Sequence, residues 1–195
     1  ALLGPFRKKH PNITILLRAG NTEDVLEQLR SYKAEIGVIG SLTPGRDMTG
    51  LHLGATGIPA FAARGFLPSG RQNLHLADLP GLPLVFREAG SKTRQKIEAE
   101  ARSRGVILQP AIIAEGREAV RELVASGAGI GFVSEAEFGH DSRLVKIRLE
   151  DASLTMGESI VSLTQRQDVR VVRAFMEFAA NTLARQGMPE PSPPA

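Results

Sequence analysis

Pro83-Leu84-Val85-Phe86-Arg87-Glu88-Ala89-Gly90-Ser91-Lys92-Thr93-Arg94 is the stretch whose reading decides the fold. The apolar run through Phe86 predicts a buried strand, Pro83–Arg87. Gly90-Ser91 is a tight turn, and no breaker follows until Gly105, which predicts a helix over Lys92–Arg104. The first turn of a helix has backbone N–H groups without an intrahelical partner, and the positive end of the helix dipole lies there. With the hydroxyls of Ser91 and Thr93 and the charges of Lys92 and Arg94, this is a seat for a small anion. The same residues also read as an ordinary N-cap, with Ser91 accepting a bond from its own helix.

Outward from this stretch, strand and helix patterns alternate. Upstream, Leu2–His10 reads as the end of an amphipathic helix stopped by Pro11, and Ile13–Leu17 as a strand. A helix capped by Asn21 or Thr22 carries Val25, Leu26, Leu29 and Tyr32 on one face, and Glu35–Gly40 follows as a buried strand. The opening is thus read as β–α–β. Thr43–Asp47 is turn chemistry, Leu51–Phe66 reads as interrupted strands, Pro68–Asn73 as a loop and Leu76–Pro80 as a turn of helix. Downstream come a strand over Ile107–Ala114, a helix with Val120, Leu123 and Val124 inward, and strands at Ile130–Val133, Leu144–Leu149 and Ser159–Thr164. A last helix, Val171–Arg185, turns Val172, Phe175, Phe178 and Ala179 to the core, and the proline-rich 188–195 reads as a disordered tail. Such alternation is the signature of an α/β layered fold with parallel-rich sheets.

Three strand-to-helix junctions share one chemistry: Gly20-Asn21-Thr22, Gly90-Ser91-Lys92-Thr93 and Gly116-Arg117. In open parallel sheets, ligands sit beyond the carboxyl ends of the strands, so three such junctions predict an anion pocket. Glu118 and Glu135 lie nearby and either meet a cationic group on a zwitterionic ligand or pair with Arg117.

Composition bounds the possibilities. The chain has 195 residues, 42% apolar and 23% charged, with a formal charge of +3. This is the profile of a globular protein with a real core. No cysteine is present, which excludes disulfides, thiolate metal sites and cysteine nucleophiles. One Tyr, no Trp and dispersed Lys and Arg argue against a nucleic-acid surface within these residues. Gly127-Ala-Gly-Ile-Gly131 leaves a helix and enters a strand, the reverse of a dinucleotide fingerprint. His10, His52, His75 and His140 lack metal-ligand spacing, and His140-Asp141 reads as turn surface. No metal, no cofactor and no catalytic constellation is expected.

The ordered set of segments resembles a known family. Phe6-Arg-Lys-Lys-His-Pro11, Gly20–Asp24 with Leu26 and Leu29, and Glu35–Ile39 follow its pattern, as do Leu76–Pro80, Leu84–Arg94, Glu118–Gly131 and Arg173–Phe178. Over residues 1 to about 185 the chain resembles the effector-binding domain of a LysR-type transcriptional regulator. The resemblance implies a fold like the type 2 periplasmic binding proteins: two α/β lobes, two crossover strands and an effector in the interlobe cleft. It implies lobe I at 1–71 plus 150–187 and lobe II at 72–149. It further implies effector contacts from Asn21 and Thr22 on one side and Ser91, Thr93 and Gly116–Glu118 on the other.

The family carries an N-terminal winged helix-turn-helix that binds DNA, works as a homodimer or tetramer, and is cytoplasmic. These residues hold neither that module nor, by the resemblance, the first strand of lobe I with its usual effector-contacting Ser or Thr. Gly116–Glu122 and Val133–His140 are similar to regulators that stand beside phosphonate breakdown, which implies an aminophosphonate among the effectors to try. A periplasmic solute receptor of a transporter is the alternative on the same fold, and an enzyme on that scaffold the third.

Overall fold

Leu84, Val85 and Phe86 are all fully buried, and they divide between two apolar clusters. Leu84 and Phe86 face one cluster and Val85 the other, as the alternation of a strand requires. A strand buried on both faces needs helices on both faces. The computed structural model describes residues 2–40, 45–68 and 72–185 and shows that arrangement. The expected tail at 188–195 and parts of the predicted turns at 43–47 and 68–73 lie outside these residues.

The helices are α1 (Leu3–Lys9), α2 (Thr22–Arg30), α3 (Lys92–Ser103), α4 (Arg117–Ala125), α5 (Glu135–Phe138) and α6 (Arg170–Arg185). The strands are β1 (Gly37–Ile39), β2 (Met48–Gly57), β3 (Ala60–Ala63), β4 (Asn73–Leu74), β5 (Leu84–Arg87), β6 (Ile112–Ala114), β7 (Ile130–Phe132), β8 (Leu144–Leu149) and β9 (Thr155–Leu163). They form two compact units, residues 1–54 with 157–195, and residues 55–156. β2 and β9 run through both boundaries.

The second unit is a six-stranded sheet in the order β4-β8-β3-β7-β5-β6. β5 pairs in parallel with both β6 and β7, and β4 with β8, whereas β3 runs antiparallel to β7 and β8. Ile97 of α3 packs in the cluster with Leu84 and Phe86; Val120 and Val124 of α4 pack on the other side with Val85. Ala60 and Ala62 face the first cluster and Phe61 the second. Gly129, at φ +153°, admits the chain to β7: a Cβ there would stand 2.3 Å from the Pro83 carbonyl oxygen.

The first unit holds the three-stranded sheet β1-β9-β2, with β1 antiparallel to β9. Phe6 of α1 and Phe175 of α6 meet edge to face at 5.0 Å over Ile160, and Leu29 of α2 packs on Ile39 and Val161. Here two expectations fail. Ile13–Leu17 has strand periodicity, but among the described residues no strand pairs with it, and Leu16 and Leu17 are 76% exposed. Alternation marks a face and does not supply a ladder partner. The opening is therefore not β–α–β, and the Asn21 junction follows irregular chain rather than a strand. Likewise only Ile112–Ala114 of the predicted strand at 107–114 is paired, because Pro110 has no N–H to give a ladder. Tyr32, expected on the apolar face of α2, takes φ +58° past the helix end and is exposed, its hydroxyl accepting from Gln165 at 2.6 Å.

Candidate functional site

After β5 the chain passes to α3 on one face of the sheet, and after the adjacent β6 it passes to α4 on the other face. Two neighbouring parallel strands whose connections leave to opposite faces open a crevice at their carboxyl ends, the place where ligands of open α/β sheets bind. The register Val85↔Ile112, Phe86↔Ile113, Arg87↔Ala114 brings the two strand ends level. The stretches 88–93 and 115–118 thus flank one crevice, within the second unit.

Each predicted residue can be placed. Ser91, 3% exposed, is the N-cap of α3, its Oγ accepting the Arg94 N–H at 3.5 Å, a long bond. Thr93, 5% exposed, turns its hydroxyl toward Met156 Sδ at 4.0 Å. Gly116 is the N-cap of α4 with φ +78°, and α4 has no side-chain cap. Arg117 donates to Glu118 at 2.9 Å and to Glu137 at 2.5 Å. Burial opposes the charged form of Arg117, but the two carboxylates outweigh it and raise its pKa. Glu118 is exposed; slight desolvation opposes its charge, yet its own backbone N–H and Arg117 lower its pKa. Of the two readings for these acids, Glu118 takes the pairing with Arg117. Glu135 pairs instead with Lys146 and lines an open depression of about 700 Å³ beside β8, whose lining includes none of Ser91, Thr93 or Gly116–Glu118.

Asn21 and Thr22 belong to the first unit. The Asn21 side chain accepts from Glu23 and Asp24 N–H at 2.9 and 3.1 Å, and Asp24 accepts the Asn21 N–H at 2.9 Å, a complete capping box. The buried Thr22 Oγ1 accepts the Gly40 N–H at 3.1 Å, tying α2 to the end of β1.

The decisive side chain at the crevice is one that the reading of hydroxyls and cations passes over. Glu88 Oε2 accepts the Gly116 N–H at 3.1 Å, crossing from the end of β5 to the N-cap of α4. Its two oxygens also accept Arg87 Nε at 2.8 Å and Nη2 at 2.7 Å. Burial pushes the Glu88 carboxyl up, but these bonds, with its own backbone N–H, hold it at about 2. The signal was available: an acid directly after a buried strand and two residues before a glycine turn.

A family model, that of the LysR substrate binding domain, matches residues 1–184. The chain belongs to this family. Among curated relatives, the LysR domain is 28% identical over 180 residues to the HTH-type transcriptional activator CmpR of Synechocystis, covering 91% of this chain and 59% of that protein. It is 26% identical over 140 residues to the HTH-type transcriptional regulator CysL of Bacillus subtilis, covering 72% and 47%. The chain therefore spans about half the length of these relatives.

Among solved structures, the regulatory domain of Synechocystis CcmR in complex with 2-PG matches with a TM-score of 0.80 at 20% identity, over 93% of this chain and 88% of that one. The effector-binding domain of QuiR in complex with shikimate matches with a TM-score of 0.80 at 17% identity, over 96% and 90%. The fold is accordingly that of LysR effector-binding domains, periplasmic-binding-protein-like and mixed α/β with a parallel-rich sheet. The relatives are transcriptional regulators and not transport receptors, against the alternative reading. Among the described residues of the LysR domain, no helix is long and apolar enough to cross a membrane, and no His, Asp and Glu group could hold a metal ion.

Proposed function

We propose that this LysR domain is the ligand-sensing part of a DNA-binding transcriptional regulator, responding to a small anionic or zwitterionic effector. The observation that carries the reading is the β5–β6 crevice, where the buried hydroxyls of Ser91 and Thr93 and the start of α4 stand at the ends of two level strands. Helix N-termini favour a negative group by roughly 0.3–1 kcal/mol each at exposed sites and about 2 when partly buried, so the start of α3 with the hydroxyls of Ser91 and Thr93 favours an anionic group. In this reading Ser91, Thr93, Gly116, Arg117, Glu118 and Glu135 contact the effector, and Asn21 and Thr22 contribute from the other lobe.

In the family's division the lobes are residues 1–71 with 150–187, and 72–149, whereas by compactness 55–71 and 150–156 group with 72–149. The effector acts by population shift: it favours one conformation of the domain, which biases how a dimer or tetramer presents its N-terminal winged helix-turn-helix modules to DNA. The protein works in the cytoplasm, without a cofactor, and is not an enzyme.

The test starts with a thermal-shift screen of small carboxylates, phosphonates and amino acids, since a ligand of the native state raises the melting temperature. Calorimetry then compares Ser91→Ala and Thr22→Ala with wild type for the compound found. Each substitution weakens binding while the domain stays folded. Wild-type affinity in both variants overturns the site.

A further inference from the structure

At the β5–β6 crevice three donors converge on one carboxylate. Arg87 Nε and Nη2 approach at 2.8 and 2.7 Å, and the Gly116 N–H at 3.1 Å. The side chains of Arg87 and Glu88 are 12% and 17% exposed, so neither group is free on the surface. An arginine fork beside a helix-start amide is the donor set that proteins use for a carboxylate or phosphate ligand. Here the chain supplies the anion itself.

We propose that Glu88 is a resident anion that closes the α4 side of the effector site and so sets its specificity, an inference that rests on the effector reading above. With Glu88 in place, the crevice has one anion seat left, at Ser91 and Thr93 on α3, and a carboxylate opposite it. A ligand with two anionic groups would direct its second group at Glu88 and is rejected. A ligand with one anionic group and a hydroxyl or ammonium is accepted, because Glu88 Oε1, which accepts from Arg87 Nη2, has a second lone pair for a hydrogen bond. The effector class narrows to hydroxylated monoanions and zwitterions.

The prediction can be checked with inorganic phosphate as the probe, before any effector is known. Glu88→Ala frees the Arg87 fork and the Gly116 N–H together, and a phosphate oxygen pair can replace what the carboxylate did. In amide NMR titrations of the whole chain, Glu88→Ala shows saturable shifts at Gly116, Arg117 and Glu118, with phosphate affinity about tenfold or more above wild type. The double variant Arg87→Ala/Glu88→Ala loses most of that gain. If Glu88→Ala does not fold, Glu88→Ser, whose short side chain also vacates the seat, shows the same gain.

Equal saturable shifts at these amides in wild type, or a folded Glu88→Ala without them, overturn the proposal. Neither result touches Ser91, so the effector reading fails or stands separately, on the Ser91→Ala calorimetry. Once an effector is found, the same claim predicts that Glu88→Ala gains affinity for dianionic analogues relative to monoanionic ones; an unchanged ratio contradicts it.

Discussion

Replacing Glu88 with Gln removes one charge from the crevice and leaves its shape nearly intact. The folded protein holds the Glu88 carboxyl at about 2 against an ordinary 4.5. One pKa unit is about 1.4 kcal/mol, so a displacement of this size corresponds to on the order of 3 kcal/mol of stability at neutral pH. The side chains of the pair retain 12% and 17% exposure, and discounting for solvent screening leaves about 2 kcal/mol. In a chain of this length that is a fall of roughly 4–8 °C in Tm. Because the folded pKa is depressed, the contribution is complete above pH 4.5 and is lost as pH falls toward 2. Glu88→Gln lacks it at every pH. Thermal and urea unfolding should therefore show a gap between wild type and variant that is full at neutral pH and closes between pH 4.5 and 2. A gap below about 0.5 kcal/mol at neutral pH, or one that persists unchanged at low pH, refutes the assignment of Glu88 as a paired, internally seated carboxylate.

Other substitutions test the frame around the crevice. Gly129→Ala forces a Cβ against the Pro83 carbonyl at a backbone angle L residues avoid, and should destabilise by more than about 2 kcal/mol in urea unfolding. Ile97→Ala empties a fully buried position under α3 and should cost about 2–5 kcal/mol by the same measurement. Asn21→Ala removes the acceptor of the α2 capping box and should cost about 1 kcal/mol, with faster hydrogen exchange in the first turn of α2. The paired change Leu16→Ser/Leu17→Ser should leave stability within about 0.5 kcal/mol, because neither side chain is packed.

The parts of this fold that local sequence determines were legible. The run Leu84–Phe86, the Gly90 turn and the helix from Lys92 follow from burial, backbone freedom and capping within a dozen residues, and the structure has them in place. So too were the caps at Asn21 and Ser91. What failed depended on partners far away in the chain. Ile13–Leu17 carries the pattern of a strand, but a strand exists only when another pairs with it. Glu88 was missed for a like reason: its role depends on the register of β5 against β6, which joins residues 28 apart. The candidate hydroxyls could be found from the sequence, and so could the position of the acid after β5, whereas its bond to Gly116 could not.

The most direct test of the central claim is a crystal structure of the domain with the effector that the screen identifies. The account predicts one ligand whose anionic group is held by Ser91 and Thr93 at the start of α3, with Glu88 still bonded to Gly116 and Arg87. A ligand seated in the depression beside Lys146 and Arg148, away from the β5–β6 crevice, would contradict it.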